Sequence, residues 1–301
     1  MTDILFITVN YNGVAATEKF LASAAELEAF TRVQILVVDN HSADGSIEKL
    51  RAANNKFSNV SLIESERNRG YFGAANWALQ QYLAGEPMPD WIIVCNNDII
   101  FEDRDFLVGL LRNDPRNAHV IAPAIIALAT GIDCNPFLRE RPTSFRLWSY
   151  RFWSSSYYLM WLKQFLSPYV RSARHKVTTW FEPPTTTNVR RTYAPHGAFL
   201  IFSRAYFEAG GYIDDGFFLY AEEFSVAEIC RRLNLSIIHD SSLRVWHNAH
   251  HVTGRFCNRT TFEYGRQGLA YALRTYFSAA DSANRPAHEN APTNQSAGSS
   301  L

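Results

Sequence analysis

The chain has 301 residues, of which 47% are hydrophobic and 19% charged, and its formal net charge is +0. This composition is typical of a globular protein with a hydrophobic core, and the balanced charge excludes a global electrostatic attraction to nucleic acid. The four cysteines are far apart in the sequence and contain no CxxC pair, which excludes a disulfide framework and a cysteine zinc site. No signal peptide and no run of roughly 18 apolar residues is present, so we expect a cytoplasmic protein, soluble or peripheral to a membrane.

Strands and helices alternate through the first 100 residues. The predicted strands are residues 4–9, 34–38, 60–63 and 91–95, and the predicted helices between them are residues 15–30, 46–54 and 73–83. This alternation predicts βα units and a largely parallel sheet. The strands are continuous apolar runs, which indicates that helices cover both faces of the sheet.

The pattern changes after residue 133, and we divide the chain accordingly. Residues 1–133 form the strand-rich first half, residues 134–192 an insertion with helical character, and residues 193–260 a second α/β half. Residues 261–280 are predicted to be a C-terminal helix. Residues 281–301 have almost no large apolar side chain and are predicted to be a disordered tail.

The insertion is rich in aromatic residues interleaved with arginines and lysines. Two interpretations are about equally favoured. In the first, two helices pack through their aromatic residues and the basic side chains form a solvated rim. In the second, the aromatic residues lie at headgroup depth in a membrane and the basic residues attract anionic lipid.

Three predicted strands end in polar residues: Asn10 after the first, Asp39 after the second, and Asn96, Asn97 and Asp98 after the fourth. Ligands of open parallel sheets bind at the carboxyl ends of the strands. A carboxylate there can accept the imide N–H of a uracil or thymine ring, or hold a divalent cation against a diphosphate. Asp and Asn are also common helix caps, but three such strand ends together favour a nucleotide site.

Four segments in this order, ITVNYN, VVDNHSADGS, NRGYFGAANWAL and CNNDI, resemble the nucleotide-binding half of family 2 glycosyltransferases. HGAFLIFSRAYFEAGGYIDDGFFLYAEE followed by VWH resembles the acceptor half of the same family. The resemblance covers roughly residues 3–250 apart from the insertion. It implies a GT-A fold, a nucleotide-sugar donor and inverting transfer, and the bacterial rhamnosyltransferase-like enzymes of cell-surface polysaccharide synthesis are the most similar subgroup.

The resemblance implies roles for the strand-end residues, with Asn10 in the donor site. Asp39 matches the acid that contacts the pyrimidine base, and Asp98 matches the last acid of the DxD motif, which holds the metal. The chain departs from that motif because Asn96 and Asn97 precede Asp98. An amide can still donate to or accept from a ribose hydroxyl, so Asn96 and Asn97 stay among the expected donor ligands.

Arg69, Gly70 and Asn76 match the family's N-x-G…N element, which implies donor contacts, with Asn68 as a further candidate. In that element the glycine lets the backbone approach the donor closely. A turn followed by a helix start is the alternative explanation for these residues.

Glu222 and Glu223 match the paired acids that include the general base of the family. The acceptor hydroxyl must lose its proton as it attacks, and a carboxylate within hydrogen-bond reach can take it. We assign the base to Glu223, in the place of the second acid. Many relatives carry a further acid at the position of Ser225, and Glu228 is the candidate to replace it. Paired glutamates at a helix start are also ordinary complements of the helix dipole.

His247 matches a histidine that completes the metal site with Asp98, so the resemblance implies Mg²⁺ or Mn²⁺. His250 and His251 follow closely, but no cysteine is near enough in sequence to complete a zinc cluster. His196 and Gly197 match the segment that lines the donor-sugar or acceptor pocket.

The sequence therefore predicts an inverting, metal-dependent glycosyltransferase. It would move a sugar, with rhamnose as the first candidate, from a dTDP- or UDP-sugar to a saccharide or lipid-linked acceptor in bacterial surface polysaccharide synthesis. The enzyme would be cytoplasmic, and it would lie at the inner face of the membrane if the insertion contacts lipid. No nucleic acid partner is expected. Two alternatives stay open: a sugar nucleotidylyltransferase, although the early Gly-rich basic loop of those enzymes is absent, and a non-catalytic sugar- or nucleotide-binding module.

Overall fold

The structure is a computed structural model that describes residues 3–54, 56–166, 189–248 and 258–278. The strands are β1 (Ile4–Asn10), β2 (Val33–Asp39), β3 (Val60–Glu64), β4 (Trp91–Asn96), β5 (Ile99–Ile100), β6 (Val120–Ala127), β7 (Val189–Arg191), β8 (Phe199–Ser203) and β9 (Ile237–His247). The helices are α1 (Val14–Ala25), α2 (Ser46–Asn54), α3 (Tyr71–Leu83), α4 (Phe106–Leu110), α5 (Ser144–Ser154), α6 (157–166), α7 (Arg204–Glu208), α8 (Glu222–Arg232) and α9 (Arg259–Tyr276). A short 3₁₀ turn, Phe30–Arg32, precedes β2.

The first four strands form the predicted parallel sheet, in the order β3-β2-β1-β4. Their apolar runs are buried on both faces, because α1 covers one side and α3 the other. Ile4 and Phe6 pack in the first core, whereas Leu5 and Ile7 pack in the second, as the alternation of side chains along a strand requires. The predicted α/β fold with helices on both faces is confirmed.

The second half of the sheet is mixed. β8 lies antiparallel between β4 and β6, β6 and β9 are parallel, and the edge strands β5 and β7 are both antiparallel to β9. Among the described strands, parallel pairing thus dominates only in the first half.

The predicted insertion contains α5 and α6, as its helical character indicated. Its last residues are part of the sheet, since β7 pairs with β9. The helix predicted for residues 261–280 is α9, which begins at Arg259 and packs against α8 and α5. The predicted tail, 281–301, and the histidines at 250 and 251 lie outside the described residues. Within the described ranges, no helix is long and apolar enough to cross a membrane.

Candidate active site

A cleft of about 470 Å³ opens where β1 and β4 end. The ends of β4 and β9, the loop before β8 and the first turn of α8 contribute its walls. Of the predicted site residues, the following line it: Asn68, Gly70, Asn96, Asn97, Asp98, His196, Gly197, Glu222, Glu223 and His247. The cleft therefore brings together predicted residues that are up to 179 positions apart, from Asn68 to His247. It lies at the carboxyl ends of parallel strands, where the sequence predicted a ligand site.

Asn10 and Asp39 lie beside the cleft and are buried in a polar network. Asn10 Nδ2 donates to Asp39 Oδ1 at 2.9 Å, and the Ser42 amide donates to Asp39 Oδ2 at 3.0 Å. Asn97 Nδ2 joins the network through Asn10 Oδ1, at 3.3 Å, and Thr17 Oγ1, at 2.9 Å. These bonds hold together the loops that follow β1, β2 and β4. Each oxygen of Asp39 retains a second lone pair for a ligand.

Asn40, which follows Asp39 at the polar end of the second strand, organises the next wall. Its Nδ2 donates to Asn68 Oδ1 at 2.9 Å and to the Gly70 carbonyl at 3.0 Å, and its Oδ1 accepts from the Arg69 amide at 2.8 Å. Gly70 has a φ of +76°, and a Cβ there would lie 2.1 Å from the Phe218 carbonyl oxygen. Position 70 therefore requires glycine, because any larger residue would clash with the chain segment at Phe218, which lines the cleft.

The structure places the side chains of Arg69 and Asn76 away from the cleft. Arg69 Nε donates to Ser65 Oγ at 3.0 Å, and its guanidinium lies 4.5 Å from the centre of the Trp77 ring. Asn76 Nδ2 lies 3.4 Å from Asp215 Oδ2. Neither residue is among those that line the cleft. Their predicted donor contacts would need a rearrangement of α3 or of these partners.

Asp98 and His247 form the part of the cleft that suits a cation. The pairing of β5 with the end of β9 brings them together, with His247 Nε2 3.1 Å from Asp98 Oδ1. Asp98 Oδ1 is buried and, although His247 Nε2 is this close, it accepts no well-aligned hydrogen bond from the described residues. An unsatisfied buried carboxylate oxygen next to an imidazole nitrogen fits a divalent cation. The described residues contain no cluster of three or more His, Cys, Asp or Glu side chains around one point, so oxygens of a bound diphosphate and water would have to complete the coordination.

Glu222 and Glu223 begin α8, after two residues with left-handed backbone conformation, Tyr220 (φ +71°) and Ala221 (φ +70°). Such strained residues are found where a structure holds functional groups in place. The Gly197 amide donates to Glu223 Oε1 at 3.2 Å. Glu222 Oε1 is buried without a hydrogen-bond partner among the described residues.

The pKa values of the Glu222 and Glu223 carboxyl groups are both raised, but by different surroundings. Burial and the neighbouring Glu223 raise the pKa of Glu222 to about 8. Burial also raises the pKa of Glu223, but the Gly197 amide opposes this effect by stabilising the ionised form. At neutral pH Glu222 therefore keeps its proton, whereas the hydrogen bond from the Gly197 amide favours the ionised form of Glu223 over that of Glu222.

The carboxylate of Glu228, which the sequence offered in place of the acid missing at Ser225, is bound by other side chains. Glu228 is fully buried, and Arg141 Nε, Arg231 Nε and the Tyr193 hydroxyl all donate to its carboxylate. Ser225 Oγ donates to the Glu222 carbonyl at 2.7 Å. Neither residue lines the cleft, so Glu228 does not replace the missing acid at position 225.

His196 lies at the back of the cleft, with its ring centre 6.3 Å from that of His247. Burial, and then the proximity of His247, lowers the pKa of His196 to about 4, so the ring is neutral at physiological pH. Its Nδ1 accepts from the Ala198 amide at 3.1 Å, which assigns the proton to Nε2. His196 is thus a neutral hydrogen-bond donor in the pocket.

Sequence reasoning missed several aromatic residues of the cleft: Tyr11, Tyr71, Phe218, Tyr220 and Tyr264. The Tyr71 hydroxyl donates to the Gly197 carbonyl at 3.1 Å, which connects α3 to the loop that contacts Glu223. Tyr71 lies inside the NRGYFG segment, so its position next to Gly70 was the signal that could have placed it in the cleft. Tyr264 comes from α9, and no motif marked it.

Comparisons with known proteins identify the family of the chain and its fold. The sequence profile described as "Glycosyl transferase family 2" matches residues 5–164. The N-acetylglucosaminyl-diphospho-decaprenol L-rhamnosyltransferase of Mycobacterium tuberculosis is 27% identical over 273 residues, which cover 85% of this chain and 79% of the relative.

Two solved structures share the fold. The mannosyltransferase PcManGT of Pyrobaculum calidifontis, in complex with GDP-Man and Mn²⁺, has a TM-score of 0.53 at 15% identity and covers 94% of this chain and 76% of its own. GalNAc-T7 with UDP, GalNAc and Mn²⁺ has a TM-score of 0.59 at 14% identity and covers 91% and 48%. The chain belongs to glycosyl transferase family 2 and has the GT-A fold.

Proposed function

We propose that the protein is an inverting glycosyltransferase that uses a nucleotide-diphosphate sugar and a divalent cation. The observation that carries this proposal is the arrangement of the cleft: an Asp98 oxygen without a hydrogen bond beside His247, and the paired glutamates, of which Glu223 accepts from the Gly197 amide. A binding module would need neither a cation site nor a carboxylate with a tuned pKa. The early basic loop expected of a nucleotidylyltransferase is absent from the sequence.

The donor would lie across the ends of β1 and β4. Asn96 and Asn97 can donate to or accept from ribose hydroxyls, and Asp39 and Asn10 would support the base. A thymidine or uridine diphosphate is proposed as the carrier, with rhamnose as the sugar because of the mycobacterial relative. Asp98 and His247 would hold Mg²⁺ or Mn²⁺, which would neutralise the charge of the departing diphosphate.

Glu223 would act as the general base. Its carboxylate takes the proton of the acceptor hydroxyl as that oxygen forms a bond to the anomeric carbon and the bond to the diphosphate breaks. The Gly197 amide holds Oε1, and Oε2 is left to meet the hydroxyl. Glu222 keeps its proton and donates it as a hydrogen bond, so that it positions a substrate oxygen in the same pocket.

The proposed acceptor is a saccharide carried on a lipid diphosphate. The mycobacterial relative is named for such an acceptor, N-acetylglucosaminyl-diphospho-decaprenol, and it matches 85% of this chain. A water-soluble saccharide is the simpler alternative and would need no lipid surface.

The first helix of the insertion supports a lipid-borne acceptor. Phe145, Trp148 and Phe152 form a stacked stripe along α5, and their exposed fractions are 75%, 59% and 42%. Between residues 141 and 166 the sequence has three arginines and one lysine but no acid. An exposed aromatic stripe among cations fits the interface of an anionic bilayer. The helix packs on α9, which also contributes Tyr264 to the lining of the cleft.

A panel of nucleoside diphosphates and nucleotide sugars, with and without Mn²⁺, tests the proposal. A ligand that binds the folded protein raises its melting temperature by mass action. We expect a rise with a uridine or thymidine diphosphate that depends on Mn²⁺, followed by release of the nucleoside diphosphate when acceptor is added. Equal melting temperatures across the whole panel, with no turnover, would refute the proposal.

A further inference from the structure

A second cavity, of about 360 Å³, lies beside the edge of the sheet where β7 pairs with β9. Three arginines line it, Arg139, Arg190 and Arg191, together with Ser241 and with Thr192, whose hydroxyl donates to the Leu138 carbonyl at 3.0 Å. The proposed catalytic machinery uses none of these residues. Guanidinium groups are groups with which proteins bind phosphate oxygens.

The remaining polar groups of the cavity leave it basic. Arg190 lies directly opposite His239 in the antiparallel pair, so the two side chains are on the same face of the sheet. His239 Nε2 lies 3.2 Å from Asp133 Oδ2, and the amides of Ile125 and Asn135 both donate to Asp133 Oδ1 at 2.9 Å. Asp133, the carboxylate among the described lining residues of this cavity, is therefore already engaged by two backbone amides and the His239 ring.

The active-site cleft has the opposite charge. Asp98, Glu222 and Glu223 line it, and no lysine or arginine is among the described residues of its wall. Divalent cations in such a cleft serve the donor, so a second diphosphate, belonging to the acceptor, has no cation there to neutralise it. An acceptor of this kind needs a basic site close to the cleft.

Asn135 separates the two cavities. It lines the arginine cavity, and its Oδ1 accepts from the His196 amide at 2.9 Å. His196 in turn lines the active-site cleft. The two cavities are thus adjacent, with the buried Asn135 side chain between them.

We propose that the arginine cavity binds the phosphate groups of the acceptor, as a site separate from that of the donor diphosphate. The inference rests on the proposed function for the identity of the acceptor, but the binding itself does not require turnover. The ligand class is a diphosphate monoester with a hydrocarbon chain. The guanidinium groups of Arg190 and Arg191 supply both the positive charge and the N–H donors.

Calorimetry with farnesyl diphosphate in the presence of EDTA tests the cavity, since the chelator removes any cation site in the cleft. We expect the double variant Arg190→Ala/Arg191→Ala to bind at least about tenfold more weakly than the wild type, because charge-assisted hydrogen bonds are lost. Arg116→Ala, at an arginine with 89% side-chain exposure outside both cavities, is the matched control and should bind as the wild type does.

Three further results would overturn the proposal: equal affinity of wild type and double variant, no binding by the wild type, and equal loss in the control. Vesicles with phosphatidylglycerol separate the two sources of phosphate. If the double variant loses vesicle binding but keeps farnesyl diphosphate binding, the cavity recognises lipid headgroups and the proposal fails. Donor hydrolysis by the wild-type protein is measured separately, and its absence would count against the proposed function only.

Discussion

The Gly197 amide nitrogen lies 3.2 Å from Glu223 Oε1, and a Cβ at position 197 would lie 3.0 Å from the same oxygen. The loop before β8 thus both holds the carboxylate and leaves room for it. Because Glu223 also follows two strained residues, Tyr220 and Ala221, its position is set by contacts on both sides. This relationship makes the glycine a test of the proposed base that leaves the carboxylate itself in place.

Gly197→Ala should displace the Glu223 carboxylate by a few tenths of an ångström. We expect kcat to fall on the order of 10- to 100-fold, since misplacement of a reacting group is costly, while the donor binds nearly as before. Steady-state kinetics and donor calorimetry measure the two effects. Gly85→Ala is the control, because a Cβ there meets no atom within 4 Å. Unchanged kcat in Gly197→Ala would show that this contact does not position the base.

Glu222→Gln should remove a pH dependence of stability. The folded protein raises the pKa of Glu222 from 4.5 to about 8, so it keeps a proton that the unfolded chain releases. The free energy of unfolding of the wild type should therefore fall as the pH rises from about 4.5 to about 8, by up to ~1.4 kcal/mol per pH unit.

Urea denaturation at several pH values compares the two proteins. The variant has no such proton, so its stability relative to the wild type should increase towards pH 8. Glu208→Gln, at an exposed glutamate, should follow the wild-type profile. Parallel profiles of wild type and Glu222→Gln would contradict the assignment of the buried proton.

Asp98→Ala should abolish the metal dependence of nucleoside diphosphate binding, and His247→Ala should weaken it. The reason is that both ligands of the proposed cation come from this pair, which is 3.1 Å apart. Calorimetry with UDP, with Mn²⁺ and with EDTA, measures the effect, and Glu102→Ala, at an exposed acid nearby in sequence, serves as the control. If EDTA leaves wild-type turnover unchanged, neither residue holds a required metal.

Charge reversal of Arg146 and Arg151 should reduce binding to anionic liposomes in a salt-sensitive way, because the exposed side of α5 would lose its attraction to lipid. Sedimentation with phosphatidylglycerol vesicles measures the bound fraction. The same reversal at Arg112 and Arg116, two exposed arginines on another part of the surface, is the matched control. Equal sedimentation of all three proteins would favour plain packing of the aromatic residues over membrane contact.

The strand ends show how far the sequence leads. Polar residues after buried strands predicted the edge of the sheet where the cleft lies, and Asn96, Asn97 and Asp98 do line it. The prediction succeeds because parallel strands place their carboxyl ends at the same edge of the sheet, independently of how individual side chains pack. Asn10 and Asp39 come to the same edge but bond to each other below the cleft, which depends on side-chain geometry that the pattern does not contain.

Contacts between distant parts of the chain could not be predicted. The sequence offered Glu228 as a spare acid, but Arg141, 87 positions away, binds its carboxylate. Gly70 matched a donor-binding motif, and the sequence did not show that a Cβ at this position would also lie 2.1 Å from the Phe218 carbonyl oxygen. Such pairs follow from the final packing of α8 and the segment before it, and no local spacing marks them.

Turnover of Glu223→Gln is the most direct test of the central claim. The substitution keeps size and most hydrogen bonds, including acceptance from the Gly197 amide, but removes the group that can take a proton. General-base catalysis typically contributes 10²–10⁴-fold, so kcat for release of nucleoside diphosphate in the presence of acceptor should fall by about that factor, with donor affinity close to that of the wild type. If Glu223→Gln and the double variant Glu222→Gln/Glu223→Gln both keep full transfer activity, neither carboxylate is the base and the proposed mechanism is wrong.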